Sequence, residues 1–354
     1  MTSDSNILVS GIKPTGRPHI GNYFGAMKQF VDLQGSYDTR IFIADLHTLT
    51  NLQNPKELRQ NTVDLVTDYL ALGLDPEKTL LFKQSDIAQV TELAWIFESI
   101  TTMPYLMRAH AFKDAEAKNK EINVGVFNYP LLMAADILIH DADVVPVGLD
   151  QKQHIEIARD TAEKFNRIYG ETFKLPKPLI LENVQTVPGT DGQKMSKSYK
   201  NTIPLFSDDA EIREAVMKIS TDSKGVEEAK DAGIDKVFAL HKLFTRGPEL
   251  EELQDRYESG GIGYKESKDI LVKNISSFIT PFREKRKEIE KNPDFIIHVL
   301  KEGGKKAKVI AEEKIKEINH ARDYLREQIN SRKAQPSTSS SAQGSASSYQ
   351  DSYY

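Results

Sequence analysis

At 354 residues the chain is long enough for two domains and a sizeable buried core. It holds 39% hydrophobic and 28% charged residues, a net charge of −5 and no cysteine; this excludes disulfides, cysteine-ligated zinc and iron–sulfur clusters, and any nucleic-acid contact needs a local basic patch. No apolar run approaches the roughly 18 residues a membrane span needs, and the opening MTSDSNILVSG lacks the basic-then-apolar layout of a secretion signal.

NILVSG, residues 6–11, reads as a β-branched strand closed by glycine. It runs through SGIKPTGRPHIGNYFGA, residues 10–26, toward a helix expected over 22–33. RIFIAD, 40–45, is a second strand, and 58–73 is a helix stopped by Gly73. TLLFKQS, 79–85, is a third strand, followed by a helix through Leu93 and Trp95. NYPLLMAADILIH, 128–140, reads as an apolar helix, DVVPVG, 143–148, as a short strand, and 151–169 as another helix. This alternation predicts βαβ units and a Rossmann-like, doubly wound parallel sheet in an α/β domain over 1–205. Beyond residue 205, Ile212, Ala215, Val216 and Ile219 recur at helical spacing, two long charged amphipathic stretches follow at 267–289 and 294–329, and no strand pattern returns. A separate all-helical domain is expected over 206–330. From Ser331 to Tyr354 the chain is polar and serine-rich, and disorder is expected.

Two segments carry chemistry. In residues 10–26, Gly11, Gly16, Gly21 and Gly25 punctuate a strand–loop–helix transition. Glycine lets backbone approach a ligand, and a helix N-terminus offers unpaired N–H groups to an anion. The carboxyl end of a first strand is where nucleotides sit in doubly wound sheets. GQKMSKSY, residues 192–199, is a hydroxyl-rich loop with Lys194 and Lys197 three apart and Lys200 beyond. Lysine ammonium groups are point charges suited to phosphate oxygens. Singly, the first segment is equally an ordinary glycine-rich turn and the second an ordinary solvated linker; together they point to a polyphosphate. No Ser-His-Asp or Cys-His constellation accompanies them, and the histidines lack metal-ligand spacing.

In order and separation, PHIGN (18–22) and KMSKS (194–198) resemble the two signatures of class I aminoacyl-tRNA synthetases. Asn22 stands where that class usually has histidine, as in its tryptophan and tyrosine branch. The blocks SGIKPTGRPHIGNYFGA, IADLHTLT and NYPLLMAADILIHDADVVPVGLDQKQHIEIARDTAEKFN (128–166) resemble the bacterial tryptophanyl-tRNA synthetases, and the likeness covers residues 6 to about 328.

The resemblance implies that L-tryptophan is activated with ATP and Mg²⁺ to tryptophanyl-adenylate and transferred to tRNA(Trp), in a cytoplasmic homodimer with no membrane partner. It implies that Lys194, Lys197, His19 and Asn22 act in catalysis. Lys13, Pro14, Thr15, Gly21, Asn22, Gly148, Asp150 and Gln151, with the loop residues Lys194, Met195, Ser196, Lys197 and Ser198, would surround ATP. Val9, Gly11, His47, Tyr129, Met133, Asp136, Val145, Val147 and Gln151 would surround tryptophan. Tyr129, Met133 and Asp136 are spaced four and three apart and share one helical face. Asp136 is either a capping or exposed aspartate or the acceptor for the indole N–H; Met133, Val145 and Val147 are pocket walls or core. The helical domain would read the tRNA anticodon, with REKRK (283–287), Lys301, Lys305, Lys306 and Lys308 as candidate phosphate contacts. Alternatives are a tyrosyl-tRNA synthetase and a catalytically idle paralogue that only binds RNA or an amino acid.

Overall fold

Five short runs become the strands β1 Ile7–Ile12, β2 Asp38–Ile43, β3 Thr79–Lys83, β4 Val144–Pro146 and β5 Lys177–Leu179. The computed structural model describes residues 5–117, 122–148, 151–180 and 187–334. The strands lie in the order β3-β2-β1-β4-β5 and every pairing is parallel. The first four follow the expected strands. β5 carries Pro178, whose missing N–H is tolerated at a sheet edge. The order reverses between β1 and β4, so their carboxyl ends diverge into a crevice.

Successive strand residues face opposite sides of the sheet. Leu8, Ile41, Ile43 and Leu81 join the core on one face; Val9, Phe42 and Phe82 join the core on the other. Helices cover both faces, as all-parallel sheets require. One contributor is the helix Pro55–Ala71, started by Pro55 and capped by Asn54, whose side chain accepts from the Lys56 and Glu57 N–H groups. Another is Val124–Leu138, capped by Asn123 through the Val126 N–H.

No strand follows Leu179 among the described residues. The helices expected as a separate domain share a core with the sheet: Leu271, Ile275, Val299 and Leu300 lie in the cluster that holds Leu8 and Ile41. The helix Tyr264–Glu290 reaches Pro55–Ala71 through Arg286, whose Nε donates to Asp68 Oδ1 at 2.6 Å. The helix Pro293–Ala334 crosses β3 so closely that a Cβ at Gly303 would stand 1.8 Å from the Leu81 carbonyl oxygen. That helix also takes in residues 331–334, where disorder was expected; Arg332, Lys333 and Ala334 are good helix formers and extend it. Residues 335–354 lie outside the described residues.

Candidate nucleotide and amino-acid site

β1 delivers the chain into the loop 13–19 at the mouth of the crevice. His19 caps the helical turn Ile20–Asn22, and its backbone N–H donates to Asn22 Oδ1 at 3.0 Å. This turn runs unbroken into the wide-pitched Tyr23–Met27 and then Lys28–Leu33. The 194–198 loop lies against it. The Gly21 N–H points to Met195 Sδ at 3.4 Å, and a Cβ at Gly21 would lie 2.9 Å from His19 Nδ1 and 3.2 Å from Met195 Cβ. Only glycine lets the two loops meet so closely. Backbone bonds tie the same junction, Ile20 N–H to the Ile203 carbonyl and Leu205 N–H to the Pro18 carbonyl, both at 3.0 Å.

Lys197 crosses the gap. Its Nζ donates to the carbonyls of Thr15 at 2.9 Å and Gly16 at 3.1 Å. An ammonium has three donors, so one remains for a phosphate oxygen between the loops. Burial lowers the Lys197 pKa from its ordinary value. Burial and the Lys197 charge push His19 down to about 4, so it is a neutral imidazole near pH 7. Lys194 and Ser198 are exposed, Ser196 is half-buried, and Met195 is buried and anchors the loop. The crevice thus offers an ammonium, a neutral imidazole and the Asn22 amide, which suits phosphate charge.

The side expected to take the amino acid is built on Val124–Leu138. Tyr129 and Met133 are half-buried and Asp136 is buried, on the shared face that their spacing predicts. His47, from the short helix Asp45–Thr48 after β2, places Nε2 3.0 Å from Asp136 Oδ2. Gln84, at the end of β3, donates from Nε2 to both Asp136 oxygens, at 3.0 and 2.8 Å, and its Oε1 accepts the His47 backbone N–H at 3.2 Å. Burial raises the Asp136 pKa, opposed by the His47 and Gln84 hydrogen bonds. The Tyr129 ring meets the His47 ring edge-on at 6.1 Å, and its hydroxyl lies 2.8 Å from His154 Nε2. Lys13 Nζ stands 5.6 Å from the Tyr129 ring centroid, so the two halves of the site touch; burial lowers the Lys13 pKa.

The structure therefore brings Lys13, Thr15, His19, Gly21, Asn22, Met195 and Lys197 together on one side and His47, Tyr129 and Asp136 on the other. Pro14 is buried in the first loop. Val9 and Val145 lie in the core at 0% and 3% exposure, behind the crevice, while Met133 and Val147 are half-buried against that core. Gly11 is exposed, but a Cβ there would meet Phe42 Cζ at 2.3 Å, so packing against β2 accounts for this glycine. Gly148 follows β4, and its carbonyl accepts the Gln151 N–H at 3.0 Å where the helix Lys152–Tyr169 begins. Asp150 lies outside the described residues. Sequence reasoning missed Gln84. Gln84 sits at the carboxyl end of a strand, which marks it as close to the crevice.

A parallel sheet opening at its switch point between two loops, one glycine-rich and one cationic, defines a nucleotide-activating α/β enzyme. The family model of class I tRNA synthetases (W and Y) matches residues 1–280. The tryptophan–tRNA ligase of Fusobacterium nucleatum is 54% identical over 311 residues, covering 87% of this chain and 95% of the relative. That of Rhodopirellula baltica is 49% identical over 304 residues, covering 86% and 95%. The crystal structure of Campylobacter jejuni tryptophanyl-tRNA synthetase complexed with ADP and tryptophan superposes with a TM-score of 0.84 at 42% identity, covering 92% of this chain and 99% of that one. The chain belongs to the class I tRNA synthetases, in their bacterial tryptophanyl branch.

Proposed function

We propose that this chain activates L-tryptophan with ATP and transfers it to tRNA(Trp). The observation that carries the reading is Lys197 bridging both loops, with Lys13 on the Tyr129 ring linking the first loop to the helix that carries Asp136. The Campylobacter relative, solved with ADP and tryptophan, supports it. The tryptophan carboxylate attacks the α-phosphorus of ATP, the bond to the bridging oxygen breaks, and pyrophosphate leaves with the electron pair. A terminal ribose hydroxyl of the tRNA then attacks the acyl carbon and releases AMP. Neither step needs a nucleophile from the enzyme; the chain positions the reactants and offsets charge on the pentavalent phosphate. Lys194 and Lys197 act on the departing pyrophosphate, His19 and Asn22 hold phosphate oxygens, and Lys13 lies toward the α-phosphate. Asp150 and Gln151 take the adenosine and α-amino ends. Mg²⁺ enters as the ion of ATP itself, held by phosphates and water.

On this reading residues 1–205 make the adenylate and the helices of 206–330, which share a core with the sheet, read the anticodon. Arg283 and Arg286 are committed internally, to the Ser207 carbonyl and Asp209, and to Asp64 and Asp68. Phosphate contacts therefore fall to lysines such as Lys301 and Lys306. A cytoplasmic homodimer completes the reading. Its support is an exposed apolar cleft of about 390 Å³ lined by Leu49, Trp95 and Val124. No helix among the described residues is long and apolar enough to cross a membrane.

The test is amino-acid-dependent ATP–pyrophosphate exchange with tryptophan and tyrosine in parallel. Tryptophan alone should support exchange. Lys197→Ala should lower kcat by orders of magnitude and leave tryptophan affinity near its starting value, the mark of a contact made in the transition state. Exchange with tyrosine, or normal turnover without Lys197, would overturn the assignment.

A further inference from the structure

A buried polar side chain lies beneath the cationic loop and joins the backbone bonds that shape it, among them Met195 N–H to the Val187 carbonyl at 2.9 Å. After the turn Lys197–Tyr199, Lys200 adopts a left-handed backbone, φ 53°. The next residue, Asn201, is buried at 2% exposure, beneath the loop. Its Oδ1 accepts the Ser196 N–H at 2.7 Å, and its Nδ2 donates to the Lys194 carbonyl at 3.2 Å. The amide thus clasps the backbone on both sides of Met195. Nδ2 also donates to Asp191 Oδ1 at 2.8 Å, which itself accepts the Gln193 N–H at 2.9 Å. The Asn201 carbonyl accepts the Thr190 N–H at 3.0 Å. The fit leaves no room, since a Cβ at Gly189 would lie 2.3 Å from Asn201 Nδ2.

We infer that Asn201 is a positioning residue for the phosphate-binding lysines, setting the loop so that Lys194 and Lys197 emerge at a fixed separation over the crevice, with Asp191 orienting its amide. The inference rests on the reading of these lysines as a pyrophosphate clamp and names what holds them. Two amide atoms, one donor and one acceptor, must sit opposite a carbonyl and an N–H. Asparagine supplies both on a short arm; aspartate would turn a second acceptor toward the Lys194 carbonyl and the Asp191 carboxylate. The hydrogen bonds that lower the Asp191 pKa, first from Asn201 and then from the Gln193 backbone, keep it an acceptor for that amide.

The experiment is a double-mutant cycle on the full chain, read by tryptophan-dependent ATP–pyrophosphate exchange with Lys197→Ala, Asn201→Ala and the double variant. Loss of the clasp should lower kcat about ten- to a hundred-fold, the scale of a misplaced catalytic group, with tryptophan KM within about twofold. Asn201→Ala should cost clearly less in the Lys197→Ala background than in the parent, because the share of its loss that passes through the Lys197 ammonium is already gone and only the share through Lys194 remains. Multiplying losses would overturn the inference, as would an Asn201→Ala enzyme that melts earlier but turns over at the full rate. Should Asn201→Ala not fold, Asn201→Asp, which keeps the size and one acceptor, serves the same cycle with the same criteria. A fast Asn201 variant beside a slow Lys197→Ala sinks this inference alone; an unchanged Lys197→Ala rate sinks the clamp reading and this inference with it.

Discussion

Asp136 makes three hydrogen bonds before any substrate arrives, two to Gln84 and one to His47. An ionised carboxylate offers about four lone-pair directions, so one remains for an indole N–H. Burial favours the protonated form and these donors favour the charged one. Asp136→Ala would leave the indole donor unpaired, at about 1–3 kcal/mol. Tryptophan kcat/KM should then fall about five- to 150-fold while the KM for ATP holds. Exchange kinetics with each substrate varied in turn measure both, and unchanged tryptophan kinetics would make Asp136 purely structural. Gln84→Met keeps the bulk and strips the donors. The Asp136 pKa should rise further, so the acid limb of tryptophan kcat/KM should move to higher pH than in the parent. A superimposable pH profile would show that Gln84 does not tune the carboxylate.

The helix Pro293–Ala334 depends on its glycine pair. Gly303 lies on the Leu81 carbonyl, and a Cβ at Gly304 would lie 2.8 Å from Asp86 Oδ2. In an exposed helix, Gly→Ala is worth roughly 1 kcal/mol of stabilisation. Here Gly303→Ala must push the helix off β3, and overpacking of this kind costs about 1–3 kcal/mol. The melting temperature should fall, read by thermal unfolding; a rise would mean that the helix shifts freely. The glycine pair is visible in the sequence, but its contact spans more than two hundred residues and no local pattern predicts it. The same reason divides what could be read from what could not. β1 to β4 announce themselves by short apolar runs, and the two loops by their glycines and lysines. β5 is three residues with a proline, too short for a period. Asp136 stands out as a charge in an apolar helix, while its partners His47 and Gln84 lie 89 and 52 residues away. The helical end reads as a separate domain because its amphipathic stripes reveal a buried face without revealing what covers it.

At the scale of the molecule, stability should depend on pH through buried histidine. Burial pushes His241, sealed among Thr245 and Ser267, down from 6.5 to about 4. The unfolded chain therefore takes up the proton first as pH falls. The contribution is full above pH 6.5 and drains toward pH 4, by about 2 kcal/mol at pH 5. Against His241→Gln, the parent should lose relative melting temperature over that window; a constant difference would place the titration elsewhere. Assembly is the other whole-molecule property. Trp95, the sole tryptophan, is 70% exposed and Val124 74%, and both line the cleft with Leu49 and Leu132. Apolar surface of this kind marks an interface, and a twofold axis would let one copy cover the other. The helix Val124–Leu138 turns Val124, Asn128, Tyr129 and Leu132 to the cleft and carries Met133 and Asp136, proposed above to face tryptophan. Dimerisation should therefore stiffen the pocket. Light scattering should give twice the 39.9 kDa of one chain. Trp95→Arg should give the single-chain mass, with a raised KM for tryptophan and a nearly unchanged KM for ATP. A parent that scatters as one chain would remove the interface; a monomeric variant with unaltered tryptophan KM would uncouple it from the pocket.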